Sequence, residues 1–257
     1  MNQLLYAVIA AHGGLDSWNA VRSVDVTFNF SGGLLDLKGF PGHHRPTATI
    51  DVKQPRTVMQ RLDGDPDDRW IFTRNRVWIE RRDGWSVEER SDPRAAFAGH
   101  VRETPWDRLH LTYFLGYALW NYLTAPFLFA WPGFSFQELD PHVEGRQIWR
   151  VLEVTFPDNI PAHTKTQKLY FDDAFMLKRL DYVTDVLGRR GCALLLRSGD
   201  GRRNCLSDIA PRGSANPRRP AFVRPHVVHA RLHELGGPDM RWTINAAQIG
   251  ALAVEPQ

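Results

Sequence analysis

TPWDRLHLTYFLGYALWNYLTAPFLFAWPGFSF, Thr104–Phe136, decides the fold of this chain, because nothing from Leu109 to Gln137 carries a formal charge and aromatic rings recur throughout. Thr104 can accept from backbone donors, Pro105 suits the first helical position, and Asp107 complements the positive helix end. A helix is therefore expected over about 105–125. Leu109, Tyr113, Gly116 or Tyr117, and Trp120 recur at three- and four-residue spacing on one stripe, with Gly116 permitting close approach of another backbone. Pro126 ends or kinks the helix. The uncharged run exceeds the roughly 20 residues that cross a bilayer. His110, Asn121, Thr124 and Pro126 interrupt it, however, and its aromatics are spread where a span would gather them at its ends. It reads as a helix packed on a core, with no stable membrane span.

On the amino-terminal side, Leu4, Leu5, Val8 and Ile9 form an amphipathic helix that Gly13 and Gly14 terminate, and Leu15 to Val21 adds a short second turn. The period then changes. Val24, Val26, Phe28 and Phe30 alternate with Asp25, Thr27, Asn29 and Ser31, the pattern of a strand with one face buried. Gly32 and Gly33 turn it, and strand-like pieces follow at Leu34–Lys38, Thr47–Val52, Arg56–Leu62, Arg69–Thr73, Val77–Arg81 and Trp85–Arg90. Beyond the aromatic helix, Phe134–Leu139, Gln147–Phe156, Lys165–Phe171 and Leu177–Val183 restore the strand signal, with Asp172 and Asp173 at a turn. An α+β, mainly β fold satisfies this pattern: a curved antiparallel sheet, or half barrel, with helices covering its concave face.

AHGGLDSWNAVRSVDV (11–26), the series of short alternating strands and KLYFDDAFMLKRLDYV (168–183) together resemble the half-barrel fold of bacterial outer-membrane lipoprotein carriers of the Lol type. The aromatic stretch itself resembles an uncharacterised bacterial protein family, over roughly residues 10–188. The carriers shield acyl chains in a half-open barrel lidded by helices, so the resemblance implies that fold and an apolar small molecule or lipid as partner. The amino terminus, MNQLLYAVIAAHGG, shows no basic leading region and no small-residue cleavage site, which predicts a cytoplasmic protein and sets it apart from exported carriers.

Residues 1–188 are expected to form the half-barrel domain and 189–257 an irregular Arg/Pro-rich tail. From Arg189 to His233 there are ten arginines and two acids, Asp200 and Asp208, a net charge of +8 against +3 for the whole chain. Three readings of the tail stand: a basic arm for nucleic acid, a disordered segment, and a coding sequence read one base out of frame. The third is favoured, and no nucleic-acid partner is expected. Codons chosen for GCALLLRSG and NCLSDIAPR can be read one base later as GAHYCSG and GIVFPTSRR, which have strand character.

At 257 residues and 43% hydrophobic content, the chain can bury a large core as one domain. Cys192 and Cys205, the two cysteines, support neither a disulfide framework nor a zinc site. His226, His229 and His233 have two- and three-residue gaps, and His229 and His233 could share a helix face, but no supporting acid or cysteine lies at matching spacing and Pro225 and arginines surround them, so no metal site is expected; Asp63–Arg69 reads as a turn rather than a calcium loop. No glycine-rich phosphate fingerprint occurs, so no cofactor is expected. Three function classes stand. A binding or carrier protein would use Tyr113, Tyr117, Trp120 and Tyr122 as broad apolar surfaces with polar tips, and Arg102 and Arg108 for an acidic head group. A hydrolase or isomerase-like enzyme would start from His100, Glu103, Asp107 and His110, with Asp107 holding His110 as a general base. An interaction module would expose the aromatic face.

Overall fold

Val24, Val26 and Phe28 fall on one parity of the strand Val21–Asn29 (β1), and all three are buried. The computed structural model describes residues 2–29, 33–187, 191–195, 226–234 and 240–242. Ahead of β1, the helix Gln3–Ala11 (α1) is capped by Asn2, whose side chain accepts from the backbone N–H groups of Leu4 and Leu5. Gly13 and Gly14, at φ 99° and 82°, supply the left-handed backbone that leads into Gly14–Ala20 (α2).

After β1 comes a short helix, Gly33–Lys38 (α3), where the sequence reading placed a strand over Leu34–Lys38. Leu35 and Lys38 are both buried, and a helix brings residues three apart to one face whereas a strand would send them to opposite faces. The Lys38 ammonium is held inside by donating to the carbonyls of Val101, at 3.2 Å, and Thr104, at 2.8 Å, and it lies 5.0 Å from the Trp106 ring centre. Burial, more than any nearby charge, lowers its pKa.

The meander then runs through Thr47–Asp51 (β2), Arg56–Gln60 (β3), Arg69–Thr73 (β4), Arg76–Glu80 (β5) and Ser86–Ser91 (β6), each antiparallel to its predecessor. Register aligns Val24, Ile50, Thr57, Phe72 and Val77 in one row across five strands. All five are buried.

The helix Arg108–Thr124 (α4) lies across this face against β2 to β6. A Cβ on Gly116 would stand 2.2 Å from the Phe72 Cβ, so only glycine lets the helix backbone reach the row. Thr57 Oγ1 donates to the Gly116 carbonyl at 3.0 Å, joining sheet to helix at the same point. The helix starts at Arg108, three residues later than Pro105. Asp107 is its N-cap and accepts from the His110 N–H at 2.8 Å, whereas the Thr104 hydroxyl accepts from the Val101 N–H. Every residue from Leu109 to Thr124 is buried, so the apolar stripe read from spacing is a full circumference. A helix buried on all sides has no amphipathic period to display. Among the described residues no helix is long and apolar enough to cross a membrane.

A second antiparallel sheet contains Ser135–Glu144 (β7), Gln147–Thr155 (β8), Thr166–Phe171 (β9), Leu177–Val183 (β10) and Gly191–Leu195 (β11) in the order β11-β10-β9-β8-β7. Asp172 turns β9 into β10 by accepting from the backbone N–H groups of Ala174 and Met176. The fold is α+β with two antiparallel sheets that do not close into a barrel. The main core runs from α1 through α4 to the second sheet, and Trp149, Val151 and Tyr170 form a smaller cluster of their own.

His226–Glu234 (β12) pairs antiparallel with β1, and Met240–Trp242 (β13) pairs with β12. The first sheet therefore has eight strands in the order β13-β12-β1-β2-β3-β4-β5-β6. His226, His229 and His233 thus belong to a strand, opposite Asn29, Thr27 and Ser23, and not to a helix. The rest of the tail at 189–257, including most of the segments concerned in the shifted-frame reading, lies outside the described residues.

Candidate functional site: a cleft beside the loop from β8 to β9

The connection from Phe156 to Lys165 has no regular structure, and its position comes from bonds that reach it from elsewhere. Three successive carbonyls each accept one donor. Asn121 Nδ2 donates to Pro161 at 2.7 Å, Arg94 donates to Ala162 at 2.9 Å, and the Asp185 N–H donates to His163 at 3.0 Å. The His163 side chain adds two more ties. Its Nδ1 lies 2.9 Å from the Tyr117 hydroxyl and its Nε2 2.7 Å from the Tyr122 hydroxyl, which in turn lies 2.9 Å from the Tyr182 hydroxyl.

Burial, assisted by the charge of Arg94, pushes the His163 pKa down to about 3. The ring is neutral at neutral pH, so one nitrogen donates and the other accepts, and tyrosine hydroxyls can serve either. Burial also raises the Tyr117 phenol well above its ordinary value, so both partners are uncharged. His163 stacks on Tyr182 with ring centres 4.2 Å apart. This histidine was not singled out from the sequence, because NIPAHTK reads as an exposed loop. The available signal was indirect: buried tyrosines at 117 and 122 require polar partners for their hydroxyls.

Between this loop, the β4–β5 turn and the start of α4 lies a cleft of about 280 Å³. Its apolar lining comes from Tyr113, Phe156, Pro157, Ile160, Pro161 and Ala162. Its charged lining is Arg74, Asp92, Arg94, Asp158, Lys165 and Asp185. Arg94 is the link between the two parts, paired with Asp185 at 3.0 Å and near enough to Tyr113 for its charge to act on the phenol. Burial raises the Tyr113 pKa against the opposing pull of Arg94, so the phenol keeps its proton and presents a neutral polar tip. The cleft joins buried apolar side chains and the buried Tyr113 phenol to charges of both signs that are exposed apart from the half-buried Arg94. It can hold a small molecule with an apolar part and a polar end.

Of the residues proposed from sequence to line a binding wall, Tyr113 lines this cleft. Tyr117 is fully buried behind it against His163, and Tyr122 lies on the far side of the same imidazole. Trp120 is enclosed at another level of the helix, where Nε1 donates to the Asp51 carbonyl at 2.8 Å. Arg108 is held by Asp68 at 3.2 Å and Glu88 at 2.9 Å, with its guanidinium 4.7 Å from the Trp70 ring centre. Arg102 is on the surface, 3.8 Å from Glu103. Neither arginine lines the cleft.

The acid and imidazole candidates gather at the start of α4. Nδ1 of His110 is 2.8 Å from Asp107 Oδ1 and 3.3 Å from the Asp107 backbone nitrogen, and Nε2 faces the Ala96 carbonyl at 3.2 Å. Both ring nitrogens are engaged in the cap and the adjoining turn. Burial works to raise the Asp107 pKa, yet Arg90 and the His110 N–H overcome it and bring the carboxyl down to about 2. The His100 ring lies 4.9 Å from the His110 ring, and burial followed by the neighbouring His110 and Lys38 lowers its pKa. Glu103 is exposed. The structure thus brings His100, Asp107 and His110 together, and none of them lines the cleft.

No protein-family model matches this chain, and no curated protein does. The solved structures similar to it include three that differ in source. A domain described as an outer-membrane lipoprotein-sorting protein, from Vibrio parahaemolyticus, shares 8% identity over 90% of this chain and 84% of its own, with a TM-score of 0.41. A LolA superfamily protein from Nitrosomonas europaea shares 10% identity over 91% of this chain and 87% of its own, with a TM-score of 0.40. The lipoprotein LppX of Mycobacterium tuberculosis shares 14% identity over 70% of this chain and 88% of its own, with a TM-score of 0.23.

Proposed function

We propose that this protein is a binding protein that holds a small apolar ligand in the cleft lined by Tyr113. The observation that carries this reading is the lining itself, in which Tyr113, Phe156, Ile160, Pro161 and Ala162 are buried and every charged residue except the half-buried Arg94 is exposed. At about 280 Å³ the cleft falls just under the ~300–1,000 Å³ usual for ligand pockets, which suits one short chain or ring system and not a two-chain lipid. The wall expected along the rest of α4 is occupied by packed protein, so binding is assigned to the end of the helix where Tyr113 and Arg94 meet the loop.

The test is native mass spectrometry of the full chain purified from its source, with organic extraction, beside the variant Ala162→Phe. Ala162 is buried and lines the cleft, so a phenyl ring placed there fills it. A stoichiometric apolar molecule on the native protein that is lost from the folded variant is the expected result. An empty native protein that also fails to bind added octyl amphiphiles would overturn the reading.

A further inference from the structure

The charges on the cleft rim do not all satisfy one another. Lys165 bonds Asp158 at 2.6 Å, and Arg94 bonds Asp185 at 3.0 Å. That leaves Arg74 and Asp92, which line the same cleft yet make no ion pair with each other or with any other described residue.

Both positions are built. The Asp92 N–H donates to the Asn75 carbonyl at 2.9 Å, which ties the residue beside Arg74 to the segment after β6. Thr73 Oγ1 donates to the Arg76 carbonyl at 2.8 Å and fixes the turn that carries Arg74. Asp92 itself sits at φ 47°, a left-handed conformation that a non-glycine residue adopts rarely and that aspartate tolerates better than most.

Deepening the binding reading above, and resting on it, we infer that the ligand's polar end is zwitterionic, with Arg74 taking its anionic group and Asp92 its cationic group. The lining residues carry three positive and three negative side chains, so the cleft gives no net attraction to a ligand of one sign. Two opposite charges left unpaired at one mouth match a head group that brings both.

The experiment is calorimetric titration of the full chain with matched probes below their micelle concentrations: octylphosphocholine, octanoate, octyltrimethylammonium and octanol, with phosphocholine lacking a chain as a fifth. Octylphosphocholine is expected to bind about fivefold or more tighter than octanoate or octyltrimethylammonium. Arg74→Gln should weaken octylphosphocholine and octanoate by about fivefold. Asp92→Asn should weaken octylphosphocholine and octyltrimethylammonium while leaving octanoate unchanged or tighter. Asparagine accepts the left-handed backbone, so this variant keeps the fold. Octyl probes that bind without head-group preference, or variants that leave every affinity unchanged, would overturn the zwitterion assignment and leave the apolar site standing. Equal affinity for chainless phosphocholine would keep the head-group assignment and overturn the apolar tail. Failure of every probe to bind would overturn both.

Discussion

Gly116 is the residue at which helix and sheet come closest, and its substitution should be felt immediately. An added methyl would stand 2.2 Å from the Phe72 Cβ and 2.4 Å from its Cγ, in a row of buried side chains with no exposed end to yield. Gly116→Ala should therefore destabilise the fold by about 1–3 kcal/mol in urea unfolding, despite the higher helix propensity of alanine. An unchanged midpoint would mean the helix can lift from the sheet at little cost. His163 makes a different prediction, in pH. Its folded pKa is held down at about 3, whereas the unfolded ring titrates near 6.5. Between those values the unfolded chain binds a proton that the folded chain refuses. The contribution of His163 is thus fully present above about pH 6.5 and is lost as pH falls toward 3, by at most ~1.4 kcal/mol per pH unit. Urea midpoints at about pH 7.5 and about pH 4.5 should fall more steeply for the native chain than for His163→Gln. Equal slopes would assign the acid sensitivity to other groups. Gly116 was legible in the sequence because a glycine inside an aromatic helix implies a close neighbour. His163 was not, because its partners lie 46 and 41 residues away along the chain.

At the scale of the elements, α4 depends on a cap that the sequence located only approximately. The Asp107 carboxylate accepts the His110 N–H and takes two bonds from Arg90, at 3.2 and 2.6 Å. Asp107→Ala should cost about 1–2 kcal/mol and Asp107→Asn distinctly less, because the amide oxygen still caps the helix while the charge on Arg90 loses its partner. Thermal unfolding that ranks the two variants equally would mean the ion pair with Arg90, not the cap, carries the effect. Thr104 and Pro105 satisfy the same start rules as Asp107, so local rules alone leave the boundary undecided by one turn. Lys38 resolves it from outside by claiming the Thr104 carbonyl. The same lysine explains α3, since a residue ordinarily expected in solvent gave no hint of a buried helical face. Both sheets also have protected edges. The edge strand β6 carries Glu88, Glu89 and Arg90, and the edge strand β7 contains Pro141 at a register shift between Leu139 and His142.

For the molecule as a whole, the loop Pro161–His163 of the second sheet is tied to α4 and to the segment after β6, and Arg94 makes that junction from the first half of the chain. Its guanidinium reaches Ala162 on the loop and Asp185 in the turn after β10. Because the side chain is 40% exposed, Arg94→Met should cost only about 1–2 kcal/mol in global stability. Its larger effect should be local. Hydrogen exchange is expected to rise across 160–165 and 185–187 while the amides of β3 to β5 keep their protection. Uniform loss of protection throughout the chain would show that the junction and the first sheet unfold as one unit.

The sequence by itself determined the strands of the meander, the aromatic helix and the α+β class, because a period of two, a run without charge and glycine at turns are properties of neighbouring residues. Arg69–Thr73 and Leu177–Val183 were read to the residue for that reason. Tertiary structure alone decided which sheet each strand joins, and it buried α4 all round instead of leaving a wall open along it. It also neutralised Arg108 with Asp68 and Glu88 and assembled a cleft from a hairpin turn, the start of a helix and an irregular loop. Each of those outcomes depends on contacts between residues distant in the chain, where burial and hydrogen-bond satisfaction outweigh local preference.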